Sequence, residues 1–127
     1  MKLFFKLTAA ILLVAFFAFI PPKHSIAGKW VVHFSNGYNA WVDFNADGTF
    51  RNYDGDGKTL HEGSYKFSDD VFSTTDKEGC GESYWGTYKF SFINIDSAKV
   101  SVITDSCTGR MEAVNNSTLR RVMRAKM

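Results

Sequence analysis

Turn signals recur about every 8–12 residues along most of the chain, and they constrain the fold more than any other feature. Pairs such as Asn36-Gly37 and Asp47-Gly48 mark tight turns, because these residues tolerate the positive φ that hairpins require. No segment between the turns keeps the 3.6-residue periodicity of an amphipathic helix. The chain is therefore predicted to be all-β.

The stretches between the turns are rich in β-branched and aromatic residues, and several alternate apolar with polar side chains. Tyr88, Phe90 and Phe92 share one face of their stretch, with Lys89 and Ser91 on the other. This pattern predicts antiparallel strands with one covered face. The last strand of the sheet is predicted to begin at Met111–Val114 and to end with Thr118–Met123. The earlier predicted stretches are Trp30–Phe34, Ala40–Phe44, Thr49–Tyr53, Leu60–Phe67, Val71–Thr75, Tyr84–Ile93 and Lys99–Thr104.

About eight short strands at this spacing indicate a sandwich or a barrel. An open sheet would leave two unpaired edges, whereas closure removes both edges. Eight strands also suit a barrel whose interior holds side chains or one small ligand. We therefore predict a small antiparallel up-and-down eight-stranded barrel, with a β-sandwich as the alternative.

The beginning of the chain has the pattern of a secretory signal peptide. A short basic start precedes the apolar run Leu7–Ile20, and Ser25 and Ala27 place small residues three and one before a cut. We predict a signal peptide over residues 1–27 and one barrel domain over residues 28–127, located in the periplasm or secreted. The alternative is an uncleaved membrane anchor, since the run from Leu3 to Ile20 is nearly long enough to span a bilayer.

The leader also accounts for the positive charge of the chain. It contains three lysines and no acidic residue, so its removal leaves 12 basic and 13 acidic residues and a net charge of about −1. Nucleic-acid binding needs a clustered positive field, and we expect no nucleic-acid partner. The basic residues that do cluster lie at the end of the chain: Arg120, Arg121, Arg124 and Lys126.

The sequence contains two cysteines, Cys80 and Cys107. In an exported chain, two cysteines predict one disulfide. A domain of about 100 residues buries a modest share of its surface and is marginally stable by itself. Closing this loop contributes about 3.5 kcal/mol in the chain-entropy model, which is a large share of a typical stability.

Several short motifs resemble those of small bacterial exported lipocalin-like proteins, within the calycin superfamily. Gly28-Lys29-Trp30 resembles the Gly-x-Trp motif of that group, and Arg121-Val122 falls where its pattern closes. In the group, the first-strand tryptophan packs at the closed barrel end near an arginine of the last strand. The resemblance therefore implies a structural cation–π pair between Trp30 and Arg121. Further similar segments are 44–50, 63–65, 86–90 and 105–110.

Aromatic residues are dense on the predicted strands, and two interpretations remain open. They fill the interior of a small barrel, or they line an apolar pocket with a few polar groups. We expect the protein to bind a small apolar or amphipathic ligand that enters the barrel mouth. The candidate residues, as pocket lining or as core, are Trp41, Phe44, Tyr53, Tyr65, Trp85, Tyr88 and Phe90.

Enzymatic activity is not expected, and neither is a metal or a cofactor. After the leader, the histidines are His33 and His61, and no ligand spacing for zinc or nucleophile–base arrangement is visible. An alternative function is a protein-binding barrel, such as an inhibitor of an exported protease or lysozyme, by analogy of fold alone. The contacts would then come from loops such as Ser35–Asn39 and Asp76–Ser83.

Overall fold

A computed structural model describes residues 24–125 as eight strands and one short helix. The predicted leader lies outside the described residues except for its last four. Among residues 24–125, no helix is long and apolar enough to cross a membrane. The elements are β1 (Gly28–His33), β2 (Asn39–Phe44), β3 (Thr49–Tyr53), β4 (Thr59–Ser68), β5 (Val71–Asp76), β6 (Gly81–Asn94), β7 (Ser97–Thr104), α1 (Thr108–Val114) and β8 (Thr118–Arg124).

The strands form a closed barrel in which every strand pairs with its neighbour in the chain. β1 pairs with both β2 and β8, always antiparallel, so that Trp30 lies opposite Val42 on one side and Arg121 on the other. Closure gives the first and last strands a hydrogen-bonding partner on each side. The predicted eight-stranded up-and-down barrel is confirmed, and the sandwich alternative is excluded.

The first hairpin turn with an Asp-Gly pair joins β2 to β3. The Asn45 amide donates to the Thr49 carbonyl across 2.9 Å, and Gly48 has a φ of 89°, which favours glycine. The Asp47 carboxylate accepts from the Thr49 amide at 3.0 Å. The turn residues therefore satisfy one another, as expected for a plain hairpin.

The segment 111–114 differs from its prediction as a strand. It belongs to α1, in which the Met111 amide donates to the Cys107 carbonyl and the Asn115 amide to the Met111 carbonyl, both across 2.9 Å. Met111, Glu112 and Ala113 favour a helix intrinsically, and contacts at the beginning of the helix, described below, hold it in place. The prediction of a strand at Met111–Val114 is wrong.

Inward-facing side chains of the strands form one hydrophobic core. Aromatic rings make up much of it: Phe44 and Phe72 lie 5.5 Å apart and Phe67 and Phe90 lie 5.4 Å apart, both edge to face. The buried core residues are Ile26, Trp30, Val32, Val42, Phe44, Phe72, Tyr88, Phe90, Ala98, Val100 and Leu119.

One end of the barrel is closed by Ile26, Trp30 and Arg121, which we call the closed end. The Trp30 indole nitrogen donates to the Ile26 carbonyl at 2.8 Å. The Arg121 guanidinium lies 4.2 Å from the centre of the Trp30 ring, within the range of a cation–π contact. This contact is the one that the sequence resemblance implies for the two residues.

Candidate ligand-binding site

The other end of the barrel contains a cavity of about 600 Å³ that is partly open to solvent. Its rim is formed by the β1–β2 loop, the β5–β6 loop and α1, which contribute Phe34, Tyr38, Cys80 and Ala113. Its deeper wall is apolar, because it consists of inward-facing core residues of the strands. These include Val32, Val42, Phe44, Phe72, Phe90, Val100 and Leu119.

Strand alternation decides which of the predicted aromatic residues reach this cavity. Phe44 and Phe90 line it. Tyr65 and Tyr88 do not line it but belong to the interior: the Tyr65 ring packs edge to face against Phe44 at 5.0 Å, and Tyr88 is completely buried. Tyr65 and Tyr88 therefore belong to the core, which was the second of the two roles considered for these aromatic residues.

Trp41, Tyr53 and Trp85, the other three candidates, are not among the residues that line the cavity. Trp41 alternates with the inward-facing Val42 and so points away from the interior. The Arg51 guanidinium covers the Tyr53 ring at 4.3 Å, and Trp85, 40% exposed, lies under the Lys66 amine at 4.5 Å. Part of the aromatic density of the sequence is therefore a feature of the outer surface.

Polar residues of the cavity wall were missed by the sequence analysis. Arg110 lies in α1, Ser117 lies directly before β8, and Asn52 shares the inner face of β3 with Phe50, two positions earlier. The position of Asn52 on the same face as an inward phenylalanine was a usable signal, and Arg110 ends one of the family-like segments. The remaining polar wall residues are Asn36, His61, Thr74, Thr75 and Asp76.

A buried ion pair holds the beginning of α1 against the barrel. Arg110 donates through Nε to Asp105 Oδ2 at 2.7 Å and through Nη2 to Asp105 Oδ1 at 2.8 Å. Their side chains are 6% and 0% exposed, respectively. The Tyr88 hydroxyl and the Cys107 amide also donate to the Asp105 carboxylate, and Arg110 Nη2 donates to the Tyr84 carbonyl. Such a bidentate pair fixes both position and orientation.

These contacts shift the ionisation of all three side chains. Burial disfavours the charged carboxylate of Asp105, but the hydrogen bonds from Arg110, Tyr88 and the Cys107 amide outweigh it and lower the pKa of Asp105. The hydrogen bonds to Asp105 raise the pKa of Arg110. Burial and the hydrogen bond to Asp105 raise the pKa of Tyr88 far above its usual value. The pair is therefore charged, and the phenol is neutral, at neutral pH.

Gly86 provides the space for the Asp105 carboxylate. A Cβ atom at this position would collide with both carboxylate oxygens. The residue lies on β6 two positions before Tyr88, which binds the same carboxylate. A glycine is thus required here by the close approach of a side chain and not by a turn.

The predicted disulfide between Cys80 and Cys107 is confirmed. It joins the β5–β6 loop to the residue before α1, with the two Cα atoms 5.9 Å apart. Both cysteines line the cavity. The bond therefore ties two parts of the rim together.

A histidine–carboxylate pair lies in the wall at the end of β5. His61 Nδ1 is 3.0 Å from Asp76 Oδ2, and Asp76 Oδ1 accepts from the amides of Glu78 and Gly79. Within residues 24–125, His61, Asp76 and Glu78 form the one group whose ligand atoms lie close enough, within 4.8 Å, to hold a metal ion. These contacts anchor the β5–β6 loop at the rim.

Comparison of the chain with protein-family models, curated proteins and solved structures gives no match. The similarity to lipocalin-like proteins therefore rests on the sequence motifs described above, and the function is inferred from the cavity.

Proposed function

We propose that this protein is an exported, lipocalin-like binding protein that holds one small apolar or amphipathic molecule in the barrel. The observation that carries the proposal is the cavity of about 600 Å³, apolar at depth and partly open at one end. Small-molecule sites have volumes of about 300–1,000 Å³ and mainly apolar walls with a few polar groups.

The distribution of polarity favours an amphipathic ligand over a purely apolar one. The deep wall consists of core residues such as Phe44, Phe90 and Val100. Arg110, Asp76 and other polar residues lie toward the rim, on α1 and at the end of β5. A molecule with an apolar body and a polar head would match both regions at once.

The disulfide supports an oxidising compartment, in agreement with export to the periplasm or the exterior. Arg110 is bound to Asp105 and His61 to Asp76, and both pairs hold segments of the rim in place.

Titration with Nile red, an uncharged dye whose fluorescence rises in apolar surroundings, tests this proposal. We expect saturable binding of one dye per chain in the wild-type protein. Ala113→Trp places a bulky ring in the cavity wall, whereas Glu112→Trp places the same ring on the exposed face of α1. We expect at least a tenfold loss of affinity for the first variant, or about 1.4 kcal/mol, and little change for the second.

Dye binding that never saturates, or equal affinities for the two variants, would refute a ligand in this cavity. The protein-binding alternative through the loops would then be the better interpretation.

A further inference from the structure

Unsatisfied polar atoms are concentrated in the cavity wall. Asn52 Oδ1, Arg110 Nη1 and Ser117 Oγ are buried without a hydrogen-bond partner, and all three residues line the cavity. Buried polar atoms without a partner are uncommon, and in the wall of a cavity they are the atoms that a bound polar group can engage. The fourth such atom of the described chain, Arg121 Nε, lies at the closed end, 3.2 Å from the Asp96 carboxylate.

The three atoms define the chemistry of a matching group. Arg110 Nη1 can only donate a hydrogen bond, Asn52 Oδ1 can only accept one, and the Ser117 hydroxyl can do both. Neighbouring atoms cover all three in this structure, so a side-chain adjustment has to accompany contact with a ligand. A head group that both donates and accepts matches the donors and acceptors of this set.

The charges of the wall disfavour an ionised head group. Arg110 is the one arginine or lysine among the described residues that line the cavity, and its guanidinium is already engaged by the Asp105 carboxylate. An anion would be transferred from water without a free counter-charge, and such a transfer is unfavourable in an apolar cavity. A neutral polar group avoids that penalty.

We propose that the ligand is an uncharged amphiphile whose head group both donates and accepts hydrogen bonds, such as a hydroxyl or a primary amide. This inference rests on the binding function proposed above. It excludes ionised fatty acids as the preferred ligands, although their apolar chains would fit the deep wall equally well.

Competition with Nile red at mildly alkaline pH distinguishes these classes. The competitors are dodecanol, dodecanamide and dodecanoate, which share one apolar chain and differ in the head group. We expect the alcohol and the amide to compete at least tenfold more strongly than the ionised acid. Equal or stronger competition by dodecanoate would overturn the inference while leaving the binding function intact. Absence of dye binding would instead refute the binding function.

Substitutions that remove the unsatisfied atoms test the same inference by changing the protein instead of the ligand. Ser117→Ala removes a buried hydroxyl, and Ser101→Ala removes an exposed one on β7 as the matched control. We expect Ser117→Ala to reduce the preference for dodecanol over dodecanoate severalfold without lowering the melting temperature of the free protein. Asn52→Leu should act similarly on dodecanamide. Unchanged preferences in both variants would overturn the inference.

An independent observation concerns the four residues before β1. Ile26 is 2% exposed and belongs to the hydrophobic core, and its carbonyl accepts from the Trp30 indole. Arg121 donates to the carbonyls of Ala27 at 2.9 Å and Ser25 at 2.7 Å. These residues therefore form part of the closed end and are not a linker to it.

His24 extends the same contact surface. Its ring stacks on Phe92 at 4.1 Å, and its Nδ1 atom lies 2.9 Å from the Asp70 carboxylate. Loss of residues 24–27 would uncover Trp30 and remove two hydrogen-bond acceptors from the Arg121 guanidinium.

From these contacts we infer that residues 24–27 remain in the mature protein. Processing after Ala27, which the small residues predict, would remove part of the folded barrel. Any cut of the leader therefore lies before His24.

Expression of the full chain in an exporting bacterium, followed by intact-mass measurement and N-terminal sequencing, tests this inference. We expect the protein isolated from the envelope to begin at or before His24. A protein that begins at Gly28, or anywhere between Ser25 and Ala27, would overturn it.

A substitution provides a second readout on the same exported protein. Because Ile26 is buried, we expect Ile26→Ala to lower the melting temperature by roughly 10 °C, whereas Ser25→Ala should have little effect. An unchanged melting temperature for Ile26→Ala would show that the residue is absent from the mature fold and would also overturn the inference.

Discussion

Asp105 is completely buried and accepts hydrogen bonds from Arg110, Tyr88 and the Cys107 amide. Neutralising one partner of such a pair leaves the other charge buried and costs about 3–5 kcal/mol. We expect Asp105→Asn to lower the free energy of unfolding by about that amount in urea denaturation. Asp96→Asn is the control, because Asp96 is 52% exposed and its ion pairs should contribute less than about 1 kcal/mol. Equal losses in both variants would contradict this role of Asp105.

The lowered pKa of Asp105 also predicts how stability depends on pH. Because the folded protein binds the proton of this group less strongly than the unfolded chain does, the contribution is complete above the ordinary carboxyl pKa of about 4. It is lost as the pH falls below that value and through the lowered pKa. We expect the melting temperature of the wild type to fall more steeply in this range than that of Asp105→Asn. Parallel curves would contradict the prediction.

Gly86 allows a test by steric exclusion. Gly86→Ala would place a methyl group against the Asp105 carboxylate and should lower the melting temperature clearly. Gly109→Ala is the matched control, since a Cβ there meets no atom within 4 Å and alanine favours the helix by about 0.5–1 kcal/mol. Equal melting temperatures for the two variants would show that Asp105 does not need this space.

At the scale of single residues, the sequence predicted the inward positions of Phe44 and Phe90 but not the polar wall. Alternation identifies which side chains face inward. Alternation does not predict that Arg110, a helix residue, lines the cavity. Its orientation depends on the ion pair with Asp105, whose carboxylate is buried only in the folded protein.

At the scale of elements, all eight strands could be predicted because Gly, Asn and Asp mark the turns between them. α1 could not be predicted, since its seven residues contain no buried face and no side-chain cap. The helix is held instead by the disulfide from Cys107 to Cys80, 27 residues away in the chain, and by the pair of Arg110 with the nearby Asp105, whose carboxylate also accepts from Tyr88 of β6.

The dependence of α1 on the disulfide can be measured by hydrogen exchange. We expect Cys80→Ser/Cys107→Ser to lower the free energy of unfolding by about 3 kcal/mol. The amides of α1 should exchange much faster, because the helix then loses its covalent attachment to the β5–β6 loop, while those of β2 and β3 change less. Equal acceleration in α1 and in β2 would show that the bond stabilises the barrel as a whole and not the rim.

At the scale of the whole molecule, the closed barrel follows from the number and spacing of strands, but the open interior does not. Whether a small barrel is filled depends on how many large side chains face inward. Trp41, Tyr53 and Trp85 do not line the cavity, so these large side chains do not fill it. The sequence left both interpretations open because strand alternation does not show how far the inward side chains reach across the barrel.

A titration followed by methyl NMR tests the central claim most directly. With dodecanol as the ligand, we expect saturable shifts at one ligand per chain for methyl groups in the cavity wall, such as those of Val42, Val100 and Leu119. Methyl groups of exposed residues such as Ile93 and Val122 should not respond. Shifts confined to the exposed residues, or no saturable shift at all, would contradict a ligand inside the barrel.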